Sequence, residues 1–173
     1  MTAPDFPTLY AFEENLEGVP SGEGTPSGFA KILDGLGGAT VYTQRSGQLV
    51  KTPLFDLQVV VGESSEHRNS DNGNSDNEKY FRYDVFDFTL NMTFVTDRTE
   101  NFAAHTKMMG QVRALLENPV LNVNVNQNFP FYWIMKLKHR GTVPAFHSDD
   151  NTDTSRISYA GKFNILPAAW PAS

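Results

Sequence analysis

Between Phe81 and Pro119 the chain changes its hydrophobic period once, and that change constrains the fold more than any other stretch. From Phe86 the even positions Phe86, Phe88, Leu90, Met92 and Phe94 are apolar, and Asp87, Thr89, Asn91 and Thr93 between them are polar. A period of two with one wet face is that of a half-buried strand. Past Thr96 the spacing becomes three and four. Phe102, His105, Met109, Val112 and Leu116 then line one face of a helix, widened by Met108 and Leu115. Asp97, with Glu100 three places on, has the pattern of a reciprocal N-terminal cap, so the helix begins near residue 98. Asn118-Pro119 ends it, because a residue before proline is pushed out of the helical region. The start of the strand is out of phase: Phe81, Tyr83 and Val85 are odd. Either a bulge at Val85-Phe86 returns both sets to the core, or Phe81 and Tyr83 face outward against another subunit.

Elsewhere the same reasoning gives a short helix over about residues 6 to 17, from Leu9, Phe12 and Leu16, ended by Gly18. VPSGEGTPSG then reads as a flexible connection, and Phe29, Ile32, Leu33 and Leu36 suggest one or two helical turns. Ala39 to Thr43 and Gln48 to Lys51 suggest a hairpin around Arg45-Ser46-Gly47. LFDLQVVVG is a strand with Phe55, Leu57, Val59 and Val61 on one face. The polar run Glu63 to Asn77 predicts a long loop, disordered in the free subunit and partner-binding in an assembly. VLNVNVNQNFP reads mainly as loop. FYWIMKLKH is a strand, RGTVPAFHSDDNTDTS a polar, turn-rich link, and Arg156 to Leu166 a last strand. Together these predict an α+β fold, a mainly antiparallel sheet with one long amphipathic helix and a short N-terminal helix packed on it. The length fits a single domain, 1–173.

The balance of charge, a formal net charge of -6, supplies no basic stripe and disfavours nucleic-acid binding through neutralised phosphates. The absence of cysteine removes disulfides, thiolate metal sites and cysteine nucleophiles together. No apolar run reaches the length of a membrane span, and the opening MTAPDFPTLYAFEENLEG lacks the pattern of a signal peptide, so folding in a cytoplasm is expected. Asp149, Asn151 and Asp153 have the alternate spacing of a calcium loop without its glycine or closing glutamate, as do Asn72, Asn74 and Asp76, so solvated loops are the simpler reading. His67, His105, His139 and His147 follow no zinc spacing. His105 lies on the apolar stripe of the helix, where a hydrogen-bonded core or interface role outweighs catalysis. No nucleophile elbow or phosphate-cradling loop is present, and no metal or cofactor is expected. The basic run Lys136, Lys138, His139 and Arg140 is split across both faces of a strand. Phe129, Phe131, Tyr132, Trp133, Phe81, Tyr83, Tyr159 and Trp170 exceed what one small sheet need bury, which points to contact with another chain.

The order of segments from about Thr52 to Pro171 carries a further signal. TPLFDLQVVVGES, then DFTLNMTFVTDRTENFAAHTKMMGQVRALL with Arg98, His105 and Arg113, then FYWIMKL, GTVPAF, HSDDNTDTSRISYAGKFNI and a closing AAWP resembles the tail-terminator and neck proteins of tailed bacteriophages. The resemblance implies a virion structural protein, assembled in the host cytoplasm. It implies a ring, commonly a hexamer, that stops growth of the tail tube and joins the tail to the head. Its partners would be further copies of itself, the tail-tube protein and head-completion or neck proteins, with no catalytic residue and no cofactor. Arg45, His67, Arg68, Phe81, Tyr83, Asp149, Asp150 and Asp153 are the candidate subunit or partner contacts. A tail-tube subunit or a head-tail joining protein is the nearest alternative. A small hydrolase or a carbohydrate-binding module using the surplus aromatics is a more distant one.

Overall fold

The computed structural model describes residues 9–34, 36, 38–44, 51–62, 67–68, 83–98, 102–117, 129, 132–147 and 151–165. In chain order the elements are helices α1 (Leu9–Glu17) and α2 (Gly28–Leu33), strands β1 (Thr40–Thr43), β2 (Leu54–Gly62), β3 (His67–Arg68) and β4 (Tyr83–Asp97), helix α3 (Phe102–Glu117), and strands β5 (Tyr132–His147) and β6 (Thr152–Ile165). The sheet runs β1-β2-β4-β6-β5, with β3 paired to the start of β4.

This corrects the expected fold class. About half of the described residues are strand, gathered in one curled, mixed, half-barrel sheet, and the described helices are short, with no long amphipathic helix among them. A strand advances about 3.3 Å per residue and a helix 1.5 Å. The 16 residues of β5 therefore reach about twice as far as the 16 of α3. The sheet is mixed because β1 lies parallel to β2, Thr40 opposite Leu54 and Thr43 opposite Leu57, where a mainly antiparallel sheet was expected. The hairpin expected at Arg45 lies outside the described residues. The segment read as a polar link is strand on both sides of its turn: β5 continues to His147 and β6 already begins at Thr152.

The curl has a local origin. β5 slips register against β6 three times, between Met135 and Lys138, His139 and Gly141, and Val143 and Phe146. Each slip places an extra residue on β5, and such bulges bend a strand and increase its twist. Pro144, which has no N–H to give to a ladder, sits inside the last slip on an edge strand, where a proline is tolerated. β4, by contrast, keeps unbroken register with β6 from Val85 to Asp97, so no bulge forms at Val85-Phe86. Before Val85 the strand takes β3 as its partner, with Asp84 opposite His67 and Tyr83 opposite Arg68.

One face of the sheet is buried, lined by Leu57, Val59 and Val61 of β2, Phe88, Leu90, Met92 and Phe94 of β4, and Ile157, Tyr159 and Phe163 of β6. Phe12 and Leu16 of α1, Phe29 and Leu33 of α2, and Met109, Val112 and Leu116 of α3 cover it as one cluster. Each such side chain contributes about 1.5–3 kcal/mol by leaving water. At the start of β5, before the first slip, Tyr132 and Ile134 are buried, while Trp133 is 44% exposed. Phe12 anchors α1 across the curl, its ring 5.0 Å from Phe86 and 5.7 Å from Phe163.

β1 is only four residues long, so β2 outruns it, and side chains complete the edge. Val61 N–H donates to Glu13 Oε1 at 3.0 Å, Gln44 Nε2 donates to the Val59 carbonyl at 3.0 Å, and Gln44 N–H donates to the buried Glu17 at 3.2 Å. An edge closed this way offers fewer free groups to another strand.

The glycine- and proline-rich connection is folded back on itself, contrary to its reading as a flexible link. Gly18 and Gly28 have φ of 78° and 62° and stack so closely that a Cβ on Gly18 would lie 2.0 Å from the Ser27 carbonyl oxygen. Ser27 N–H donates to the Val19 carbonyl at 3.0 Å, which closes the loop.

Gly161 marks another close approach. A Cβ there would meet the Phe88 ring at 2.7 Å, and that ring is already held between Phe29 and Phe163. Gly161→Ala should therefore destabilise by about 1–3 kcal/mol through overpacking, read as a lower urea midpoint. Adding Phe88→Leu should recover part of the loss, whereas strictly additive losses would place the strain elsewhere.

Candidate functional site

Three elements converge on one buried histidine. Thr96 continues the even face of β4, Ser155 continues the inward face of β6, and His105 comes from the first turns of α3. His105 is 2% exposed. Its Nδ1 lies 2.8 Å from Thr96 Oγ1 and its Nε2 lies 2.5 Å from Ser155 Oγ. The ring packs 4.7 Å from Phe94 and, on the outer side, parallel to Phe102 at 6.4 Å. Hydroxyls can donate or accept, so two of them satisfy both nitrogens of a neutral imidazole in either tautomer. A buried polar ring without such partners would cost stability. Burial lowers the pKa of His105 below its ordinary value, with a weaker opposing pull from the Asp153 carboxylate.

Beside this cluster lies a groove of about 340 Å³ between α3 and the β5–β6 hairpin, lined by Phe102, Thr106, Met109, Thr142, Pro144 and Ser155. A serine hydroxyl on histidine Nε2 is half of a nucleophilic pair. Here the far nitrogen is held by a threonine hydroxyl where that chemistry uses a carboxylate, and Ser155 is 2% exposed. The arrangement works as a clasp that pins the start of α3 to two strands. A second clasp holds the other end of α3. Glu117 accepts from Tyr159 Oη at 2.9 Å and from Arg113 Nε at 2.8 Å, and burial next to this carboxylate raises the Tyr159 pKa.

The residues singled out as contacts do not form one patch. His67, Arg68 and Tyr83 come together in the β3–β4 pair at one end of β4. Asp153 sits at the other end, opposite Thr96, and is 2% exposed, so it belongs to the subunit core. Thirteen strand residues, about 43 Å, separate the two places. Arg45, Phe81, Asp149 and Asp150 lie outside the described residues. The residues with alternate spacing, read as a solvated loop, are divided by the fold: Asn151 precedes β6, with φ 62°, and Asp153 is already on that strand. Among the described residues no group of three or more metal-ligating side chains occurs, and no helix is long and apolar enough to cross a membrane.

No protein-family model matches the chain, and no curated protein matches it.

The sequence pattern gave His105 a hydrogen-bonded core or interface role; it is a hydrogen-bonded core side chain, and the pattern did not name its partners Thr96 and Ser155. The signal was present: Thr96 is in phase with Phe88 to Phe94, and Ser155 with Ile157 and Tyr159. A hydroxyl in phase with an apolar run has to find a buried partner.

Because the folded state favours neutral His105, the unfolded chain takes up that proton first as the pH falls. The contribution is whole above the ordinary value of 6.5 and is lost progressively below it, toward the lowered folded value. Urea midpoints of the parent should therefore drop more steeply between neutral and mildly acidic pH than those of His105→Asn. The variant should itself lose about 1–3 kcal/mol at neutral pH. Parallel curves for the two proteins would count against the clasp as the titrating element.

Proposed function

We propose that this chain is a structural protein of a tailed-phage virion, a tail terminator that closes as a ring on the tail tube and joins the tail to the neck. One observation carries the reading. The segments that resemble such proteins, from about Thr52 onward, fall on β2, β4, α3, β5 and β6, whose strands are successive neighbours in the sheet, with α3 packed on β5 and β6 and tied to β4 through His105 and Thr96. A mixed sheet stands where the resemblance implied an antiparallel one, so the support comes from these elements and not from the whole fold. The sheet also has unlike edges, a four-residue β1 and a 16-residue β5. Unlike surfaces make heterologous contacts, which generate rings when the rotation closes and filaments when it does not.

In this reading the two ends of β4 serve different neighbours along the tail axis. The β3–β4 end, with His67, Arg68 and Tyr83, meets one, and the connection from β5 to β6, whose sequence holds Asp149 and Asp150, meets the other. The tail-tube protein and a head-completion or neck protein are the partners, and a hexamer is the expected ring. Negative-stain imaging of the purified protein should show closed rings of uniform diameter. Long tubes would instead assign a tube subunit, and a strict monomer at high concentration would sink both readings.

A further inference from the structure

The two margins of the sheet carry opposite charge. β5, one edge strand, contains Lys136, Lys138 and Arg140 and no acidic residue. Residues 9–34 fold as α1, α2 and their loop against β2 and β1 at the other edge. Besides the buried Glu17 they contain Glu13, Glu14, Glu23 and Asp34 against the single basic residue Lys31. Lys138 and Arg140 are exposed on β5, as are Glu14 and Glu23 on the opposite margin.

Apolar surface accompanies the charge on both sides. Along β5 the groove between α3 and the hairpin opens beside Phe102, 50% exposed, and Val143, 47% exposed, stands on the same strand opposite Arg156. On the acidic margin Ile32 and Leu36 pack against the core with part of their surface left outside. Among the described strands β5 pairs with β6 alone, yet three register slips and Pro144 break the even row of backbone groups that another strand would need. Side chains, not a continued ladder, must then make any contact at this edge.

We infer that the β5 edge, with its basic side chains and apolar groove, receives the acidic α1–α2 face of a second copy of this chain, head to tail. The inference rests on the ring reading and names the contact that would close the ring. Opposite charges at the rim steer and orient the two copies, while the apolar centre is shut off from water. Each copy carries both halves of the contact, so every subunit is at once a socket and a plug.

Two variants test it, one with Lys138→Glu and Arg140→Glu, the other with Glu14→Lys and Glu23→Lys. All four positions are exposed, and unchanged thermal melting confirms folding. By light scattering the parent should form a multimer that weakens as salt rises. Each variant alone should associate about tenfold or more weakly, because like charges then face each other. An equal mixture should regain the parent's assembly, since alternating copies restore opposite signs at every contact. Variants that assemble as the parent does, or a mixture that stays dissociated, would overturn this contact while leaving the ring standing. A parent that is monomeric throughout would overturn the ring reading and the contact with it.

Discussion

The sheet depends on a mismatch of length. β5 carries extra residues against β6 at three places, and a strand that is too long for its neighbour can keep pairing only by buckling. The buckled edge curls the sheet, and the curl makes the hollow into which the helices fit. Phe12 can meet Phe86, Tyr132 and Phe163 together because the start of β5 has been brought round over the face of β4 and β6. Without the slips, the covering helices would face a flatter surface and leave apolar area at its margins.

Periodicity made the centre of the molecule legible. The even face of β4 and the odd face of β2 were readable because a pleat admits only one alternation, and burial follows it residue by residue from Phe88 to Phe94. What failed to show were the places where one residue too many shifts the alternation. Between Ile134 and Leu137 the inward face of β5 changes parity, so the pattern FYWIMKLKH gave no reliable indication of which side would be wet. Arg140 to His147 looked like turn because Gly141 and Pro144 fall there, yet an edge strand with bulges accommodates both. The parallel pairing of β1 was hidden for another reason. Four residues carry too little pattern to show their direction.

The candidate site was half legible. His105 stood out as a polar residue on an apolar stripe, but its partners lie 9 and 50 positions away in sequence, on two different strands. Only the register of β4 with β6, which sets Phe94 opposite Ser155 and Thr96 opposite Asp153, brings them to one point. Asp153 shows the opposite failure. Its acidic neighbours suggested solvent, whereas its place on the ladder puts it inside.

The order of strands has a consequence for how the chain is made. β4 lies between β2, which precedes it, and β6, which ends at Ile165. At a synthesis rate of roughly 5–20 residues per second, β4 waits roughly 3–14 s for its second partner. During that interval its phenylalanine-bearing face lacks half of its neighbours. β5 and β6 are adjacent in sequence, so their pairing is local and can form on its own before adding to β4. The strand order thus permits the subunit to assemble by docking two pre-paired halves, β2 with β4 and β5 with β6. The ladder between β4 and β6 is the seam, and the clasp at His105 stitches one end of it.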